Sequence, residues 1–584
     1  MSGIAGLALR GGARPSMAML AAMGAALAHR GPDGGGQHVS GQVALTHLAI
    51  AGLPNGDQPV LAGSAALVAD GVICNDRALR DAHGFACATD SAWEPPLHLY
   101  RRDGISFADG LRGMYAIALH DPAERRLVLA RDPFGIKPLY IAEFADGIAF
   151  ASEPQALLAA GVVPPALDPA RLAELLQLQF TTGAETIFRG ISRVLPGETI
   201  AIADGRVVER RRRAALPEGG PETITEDAAL ARLHAALAES VALHRRTDGP
   251  QGMLLSGGVG AAAILAVQAR LSARPVLAFS AGFEAPGAAE ERAAAAAIAM
   301  AAGARHVVVE VTRAETWRHL PAIVAAMDDP AADYAIIPAW FLARRARQDV
   351  KMLLSAEGAD EIFGGYGRYR SAMRSWWLGG KAPRRKGAFD GLDLLRTEPT
   401  GWRDGIAAAE VAAGRGGRSR LQGAQALDIA DWLPNDPLAK LDRCLMAHAV
   451  EGRAPFLDPA IADAVFRLPD ALKVRRDMGK HLLRRWLQLR FPPADPFRPK
   501  QGFAVPIGAW IAEDGARLGA LVAAQPGVAE IARPDRVQAL FRAAAGKKEG
   551  FAAWHLLFHA LWHRRHVEGR GMLAGDVFEV LAER

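Results

Sequence analysis

The run Met253-Leu-Leu-Ser-Gly-Gly-Val-Gly260 constrains this chain more than any other. A short apolar strand ends in glycines, and an Ala-rich helical stretch, Ala261–Ala273, follows at once. Glycines at such a turn let backbone N–H groups approach an anion, and the helix N-terminus adds the positive end of its dipole. Similar strand–helix units follow. Val276–Ser280 leads to Glu290–Ala302, His306–Val311 leads onward, and Lys351–Ser355 is another apolar strand that ends in a polar loop. That alternation implies a parallel sheet with helices on both faces. Glu226–Arg245, ahead of it, has apolar positions at three- and four-residue spacing, as a long amphipathic helix does. Beyond it the chain reads as mostly helical to Arg584.

The first 210 residues or so have another texture. Short apolar runs punctuated by Gly and Pro (Gln42–His47, Ala66–Val72, Gly113–His120, Arg126–Ala130) read as strands of packed sheets, with helices at Pro15–His29 and Asp168–Leu178. The breaker-rich Ala215-Leu-Pro-Glu-Gly-Gly-Pro-Glu marks a linker. A chain of 584 residues has room for two to four domains. The expected division is 1–212, a linker at 213–224, and 225–584. Net charge is +5, spread widely as Arg without interleaved aromatics, which argues against a nucleic-acid surface. Arg210–Arg213, the one local cluster, reads as a solvated strand end. Cys74, Cys87 and Cys444 form no CxxC pair, which points to a reducing, cytoplasmic compartment rather than a disulfide framework. The opening residues lack a signal-peptide pattern, and no apolar window reaches about 18 residues, so no membrane span is expected.

Downstream of the glycine turn lies Leu354-Ser-Ala-Glu-Gly-Ala-Asp-Glu-Ile-Phe-Gly-Gly-Tyr366. Carboxylates at the C-terminal end of such a strand stand where open α/β sheets bind ligands. Glu357 and Asp360 suit Mg²⁺ on a triphosphate or acid–base work, and a solvated acidic turn is the plainer alternative. Further on come Glu451-Gly-Arg-Ala-Pro-Phe-Leu-Asp458, Gly479-Lys480-His-Leu-Leu-Arg484 and Arg498-Pro-Lys-Gln-Gly-Phe-Ala-Val-Pro506. In combination these segments resemble the glutamine-dependent asparagine synthetases, class II amidotransferases related to the β-lactam synthetases, over nearly the whole chain.

The resemblance implies an α+β sandwich of the N-terminal-nucleophile-hydrolase kind, followed by an α/β ATP-pyrophosphatase (adenine nucleotide α-hydrolase-like) domain with a helical C-terminal part. The second domain would adenylate a carboxylate (aspartate by default) with ATP and Mg²⁺, release pyrophosphate, and accept ammonia or another amine. Carried over by motif, Ser256, Gly257 and Gly258 would cradle phosphate. Leu254, Ser280 and Gly358 would complete the ATP site, with Ser280 near the adenine. Glu357 would act near amine attack, Asp360 would hold the metal, and Lys480 would neutralise the pentavalent phosphate. Asp333 matches too. A homodimer or a pathway-protein partner stays open.

The departures are as informative. The family loop reads Ser-Gly-Gly-x-Asp-Ser, and this chain has Gly260 and Ala261 at the last two positions. Loss of a metal carboxylate and a phosphate donor, at about 3 kcal/mol each, would slow turnover by about four orders of magnitude. At the N-terminus the family nucleophile is Cys, and this chain has Ser2, whose own α-amine (pKa near about 8 when unperturbed) is the available base. His47 stands where an Arg would hold the glutamine carboxylate. Asp70-Gly71-Val72 replaces Asn-Gly-Glu, and Ser91-Ala-Trp-Glu94 replaces the segment that meets the glutamine amine. Two readings follow: an ATP-dependent amide ligase with a silent glutaminase half, or a pseudoenzyme that binds nucleotide or a partner. A ligase reusing the site should have a substitute carboxylate near Gly260, for which Glu290 and Glu291 are the candidates.

Overall fold

A computed structural model describes residues 2–53, 57–246, 249–284, 288–374, 384–498, 505–570 and 575–583. The first third of the chain forms two six-stranded antiparallel sheets. One places Ser2–Leu9 between Gly147–Ala151 and Val43–Ala49, and the other is centred on Gly113–Asp121 and Arg126–Arg131. Along Ser2–Leu9 the period of two is visible: Ile4 and Ala8 enter the core between the sheets, while Ala5, Leu7 and Leu9 pack outward with Met23, Leu27 and Leu157. Both faces are buried, which is why these strands read as continuous apolar runs. Helices Met17–Ala26 and Pro154–Ala159 cover the first sheet, and Glu94–Asp103 covers the second. The sandwich of sheets between helices is the fold that the resemblance implies.

The arginines at 210–213 are paired rather than simply solvated. Arg210 meets Glu198 at 2.7 Å, Arg211 meets Asp109, and Arg213 donates to the carbonyls of Ala108 and Leu111. The strand ends at Arg212, and the next helix, Glu226–His244, starts under the side chain of Thr225, which accepts from the Ala228 N–H.

The second half is built on a five-stranded parallel sheet in the order Arg305–Glu310, Leu277–Gly282, Gly252–Leu254, Met352–Leu354, Glu451–Arg453. Leu233, Leu237, Ile264 and Leu482 from three helices share one core with it. Leu342, Ala343, Leu441 and Leu445 pack with Phe279 and Leu353 in another. Sequential strands first build outward from Gly252–Leu254 on one side. The chain then returns on the other side, so the order reverses beside that central strand. Such a reversal leaves a crevice at the C-terminal strand ends. The rest is helical, anchored by Lys547–His566, whose Trp554 and Trp562 donate to the carbonyls of Ala332 and Met327 at 2.7 and 2.8 Å. Among the described residues no helix is long and apolar enough to cross a membrane.

Candidate active site

A cavity of about 390 Å³ opens at this reversal. Leu254, Ser256, Gly257, Gly258, Ser280, Glu357, Asp360 and Lys480 all line it, although they come from segments more than two hundred residues apart. The Ser256 hydroxyl accepts the Gly258 N–H at 3.3 Å, which folds the turn tightly ahead of the Val259–Leu271 helix. Gly257 admits no side chain, because a Cβ there would stand 2.9 Å from the Ala294 methyl and 3.0 Å from the Glu291 carbonyl oxygen. Ser280 is buried; its hydroxyl donates to the Leu255 carbonyl and lies 2.9 Å from His306 Nε2. Gly358 is a backbone pivot at φ +87°, packed beneath Leu457, and does not line the cavity.

The polar wall is a cluster of carboxyls around two lysines. Lys480, itself in the left-handed conformation (φ +58°), places its Nζ 2.9 Å from Asp360 Oδ2. Lys440, which the sequence reading missed, lines the cavity and donates to Asp333 Oδ2 at 2.8 Å. Burial opposes its charge, but Asp333, Glu357 and Asp436 outweigh that and hold its pKa well above the usual value. No spacing could have revealed this pair, since the partners are 107 positions apart. Burial raises the Glu357 carboxyl, with Asp333 and Asp360 pushing the same way against Lys440 and Lys480. Glu361, buried beneath Asp360 and Glu357, is pushed up to about 8 and accepts the Tyr366 hydroxyl at 2.9 Å. Burial likewise lifts Asp436 to about 7.

Residue 260 is tight for a side chain: its neighbours would have to give by a few tenths of an ångström. A Cβ on Gly260 would lie 3.0 Å from the Ala359 methyl and 3.3 Å from that of Ala356. Of the two substitutes considered, Glu291 lines the cavity, whereas Glu290 is exposed and does not. Arg484 and Arg498 also line it; the Arg484 guanidinium donates to the carbonyls of Gly479 and Pro496. The remainder of the Arg498–Pro506 motif, up to residue 504, lies outside the described residues. Mg²⁺ keeps several waters and needs one or two carboxylates when a polyphosphate supplies the other oxygens. Asp360 meets that minimum, so the residues fit an ion carried in on a triphosphate, by one carboxylate at this loop rather than two.

The N-terminal site is arranged differently. Ser2 pairs through its backbone with Ala49, and its side chain lies outside the described residues. His47 is buried, neither ring nitrogen has a hydrogen-bond partner among the described residues, and burial pushes its pKa down to about 3. It is a neutral imidazole. Asp70 is turned inward to Arg30 at 2.8 Å, Val72 and Trp93 are buried, and Glu94 accepts the backbone N–H groups of Ala88 and Thr89.

Comparison with known proteins identifies the family. A family model described as asparagine synthase covers residues 232–564, and one described as a glutamine amidotransferase domain covers residues 1–212. A putative asparagine synthetase (glutamine-hydrolyzing) of Mycobacterium tuberculosis strain H37Rv is 34% identical over 92% of each chain. Asparagine synthetase (glutamine-hydrolyzing) 1 of Bacillus subtilis strain 168 is 31% identical over 94% of this chain and 93% of that one. Asparagine synthetase B of Escherichia coli K12 is 27% identical over 83% and 78%. The chain belongs to the asparagine synthase family.

Proposed function

We propose that the protein is an ATP-dependent amide ligase that draws ammonia or another amine from solution and hydrolyses no glutamine. The carrying observation is the convergence of the Ser256-Gly257-Gly258 turn, Glu357, Asp360 and Lys480 on one cavity at the sheet's reversal. In this reading the substrate carboxylate attacks the α-phosphorus of ATP, and pyrophosphate leaves into the turn. Lys480 and the loop N–H groups stabilise the charge that develops there. The amine then attacks the acyl carbon, AMP leaves, and Glu357, its pKa raised by burial, accepts the amine proton. Asp360 would hold a Mg²⁺ bound to the triphosphate, which neutralises phosphate charge. Aspartate is the default carboxylate. The neutral His47 supports silence of the glutaminase half, since it offers no cation to the glutamine carboxylate.

The test is pyrophosphate release from ATP by the purified chain, with a panel of carboxylates and either ammonium or glutamine. Release above blank with ammonium and none with glutamine supports the proposal; equal release with glutamine overturns the silent half. The absence of a carboxylate at the tight Gly260 position favours a second reading, a nucleotide binder without turnover. Calorimetric ATP binding with no pyrophosphate from any carboxylate would select it.

A further inference from the structure

Outside this cavity, the loop before the Glu94–Asp103 helix and the first turns of that helix bring Cys87, Glu94 and His98 together. One ligand atom from each lies within 4.8 Å of the others. We propose that these three residues form a transition-metal site selective for Zn²⁺, with water in the fourth position. A mixed set of thiolate, carboxylate and imidazole suits a borderline-soft ion and excludes Mg²⁺ and Ca²⁺, which take oxygen ligands.

The helix supplies two of the ligands by spacing alone. Glu94 and His98 are four apart, so they share one face, and His98 Nε2 stands 3.4 Å from Glu94 Oε1. Glu94 is held by outer hydrogen-bond partners, as ligating groups are in built metal sites. The buried Glu94 carboxylate accepts the Ala88 N–H on Oε1 at 2.7 Å. Its Oε2 accepts the Thr89 N–H and hydroxyl at 2.7 and 2.6 Å. A carboxylate accepts about four bonds, so one direction on Oε1 remains, towards His98. The His98 ring stacks on Phe85, with centroids 5.2 Å apart and planes 18° from parallel.

Cys87 completes the set from the loop ahead of the helix. Burial pushes the Cys87 thiol up, against the charge of Arg80, which is fixed nearby by bonds to the carbonyls of Thr89 and Ser91, and Glu94 pushes the same way as burial. A coordinated metal ion's own charge is what deprotonates such a thiol. Bond lengths of about 2.0–2.3 Å imply ligand atoms roughly 3.3–3.8 Å apart, so from separations within 4.8 Å a side-chain shift of at most about 1 Å closes the site. Binding exchanges the thiol proton for the metal, releasing one H⁺ per ion. The bound ion fastens the 85–93 loop to the helix that covers the second sheet.

The test is Co²⁺ titration of the chelator-stripped full chain, followed by displacement with Zn²⁺. One Co²⁺ per chain with a thiolate-to-cobalt charge-transfer band is expected. Cys87→Ser should abolish the band and His98→Ala should weaken binding at least tenfold, while Cys74→Ser keeps the band. Absence of the band in the wild type, or its persistence in a folded Cys87→Ser chain, overturns the proposal.

Discussion

Gly260 is the residue on which the chemistry of the cavity turns. A sequence reading shows that the family carboxylate is missing there, but only the fold shows that the methyls of Ala356 and Ala359 crowd the position. Two methyls at 3.3 and 3.0 Å from a new Cβ make Gly260→Asp an overpacking change, costing about 1–3 kcal/mol. Gly260→Asp alone should therefore lower Tm and leave Mg²⁺–ATP affinity unchanged. Combined with Ala261→Ser and Ala359→Gly, which removes the tighter contact, it should raise that affinity at least tenfold by calorimetry in Mg²⁺ over EDTA. No gain in the triple variant removes the single-carboxylate account of the loop. Glu361 carries a second expectation. Its carboxyl sits at about 8 in the fold, against roughly 4.3 in an unfolded chain. Between those values the folded chain holds a proton that the unfolded one lacks, so this group makes stability fall as pH rises. Tm of the wild type should drop relative to Glu361→Gln on going from pH 5 to pH 8. Parallel curves would show that Glu361 ionises normally. Neither effect is legible in the sequence, because both come from partners brought near by the sheet.

At the scale of elements, far more was legible. Strands buried on both faces announce themselves as apolar runs, and Ala66–Val72, Gly113–His120 and Arg126–Ala130 fall inside observed strands. Their pairing did not show, since register in a sandwich is set by facing side chains rather than by local pattern. The glycine turn is the clearest case of an element read correctly for a physical reason. Gly257 was expected to let backbone approach an anion, and the structure adds that the Ala288–Ala301 helix leaves no room for even a methyl group. Gly257→Ala must push that helix away from the cavity mouth, and Glu291, which lines the cavity, moves with it. ATP affinity should fall at least tenfold while Tm shifts by only a few degrees, because the displaced helix lies at the sheet's edge. Unchanged affinity would mean that the turn does not hold phosphate.

Over the whole molecule, the two halves are joined by a buried network of charges that no sequence pattern betrays. Arg30 bonds Asp70 and Glu153 in its own half and reaches Asp442 in the other at 2.6 Å. Lys137 adds a contact to Asp442 at 3.2 Å, and Arg443 bonds Asp328 at 2.7 Å. These groups are almost wholly removed from solvent, so the network stabilises little against an apolar equivalent, yet losing one member leaves a charge stranded. Asp442 is the member to remove, since Arg30, Lys137 and Arg443 all lean on it. Asp442→Asn should cost about 3–5 kcal/mol. Arg10→Ala, which breaks the exposed pair with Glu143, should cost under about 1 kcal/mol. The pH dependence has a fixed sign. Burial works against the Asp442 charge, but Arg30 and Lys137 hold its carboxyl well below the usual range. Its stabilisation is present above the unfolded value of about 3.9 and is lost as pH falls below it. Denaturant unfolding at pH 7 and pH 3 should show a large gap between wild type and Asp442→Asn at pH 7 that narrows at pH 3. A gap that stays constant would place the cost of the mutation in packing, and the two halves would then be held by their apolar contacts instead of by this network.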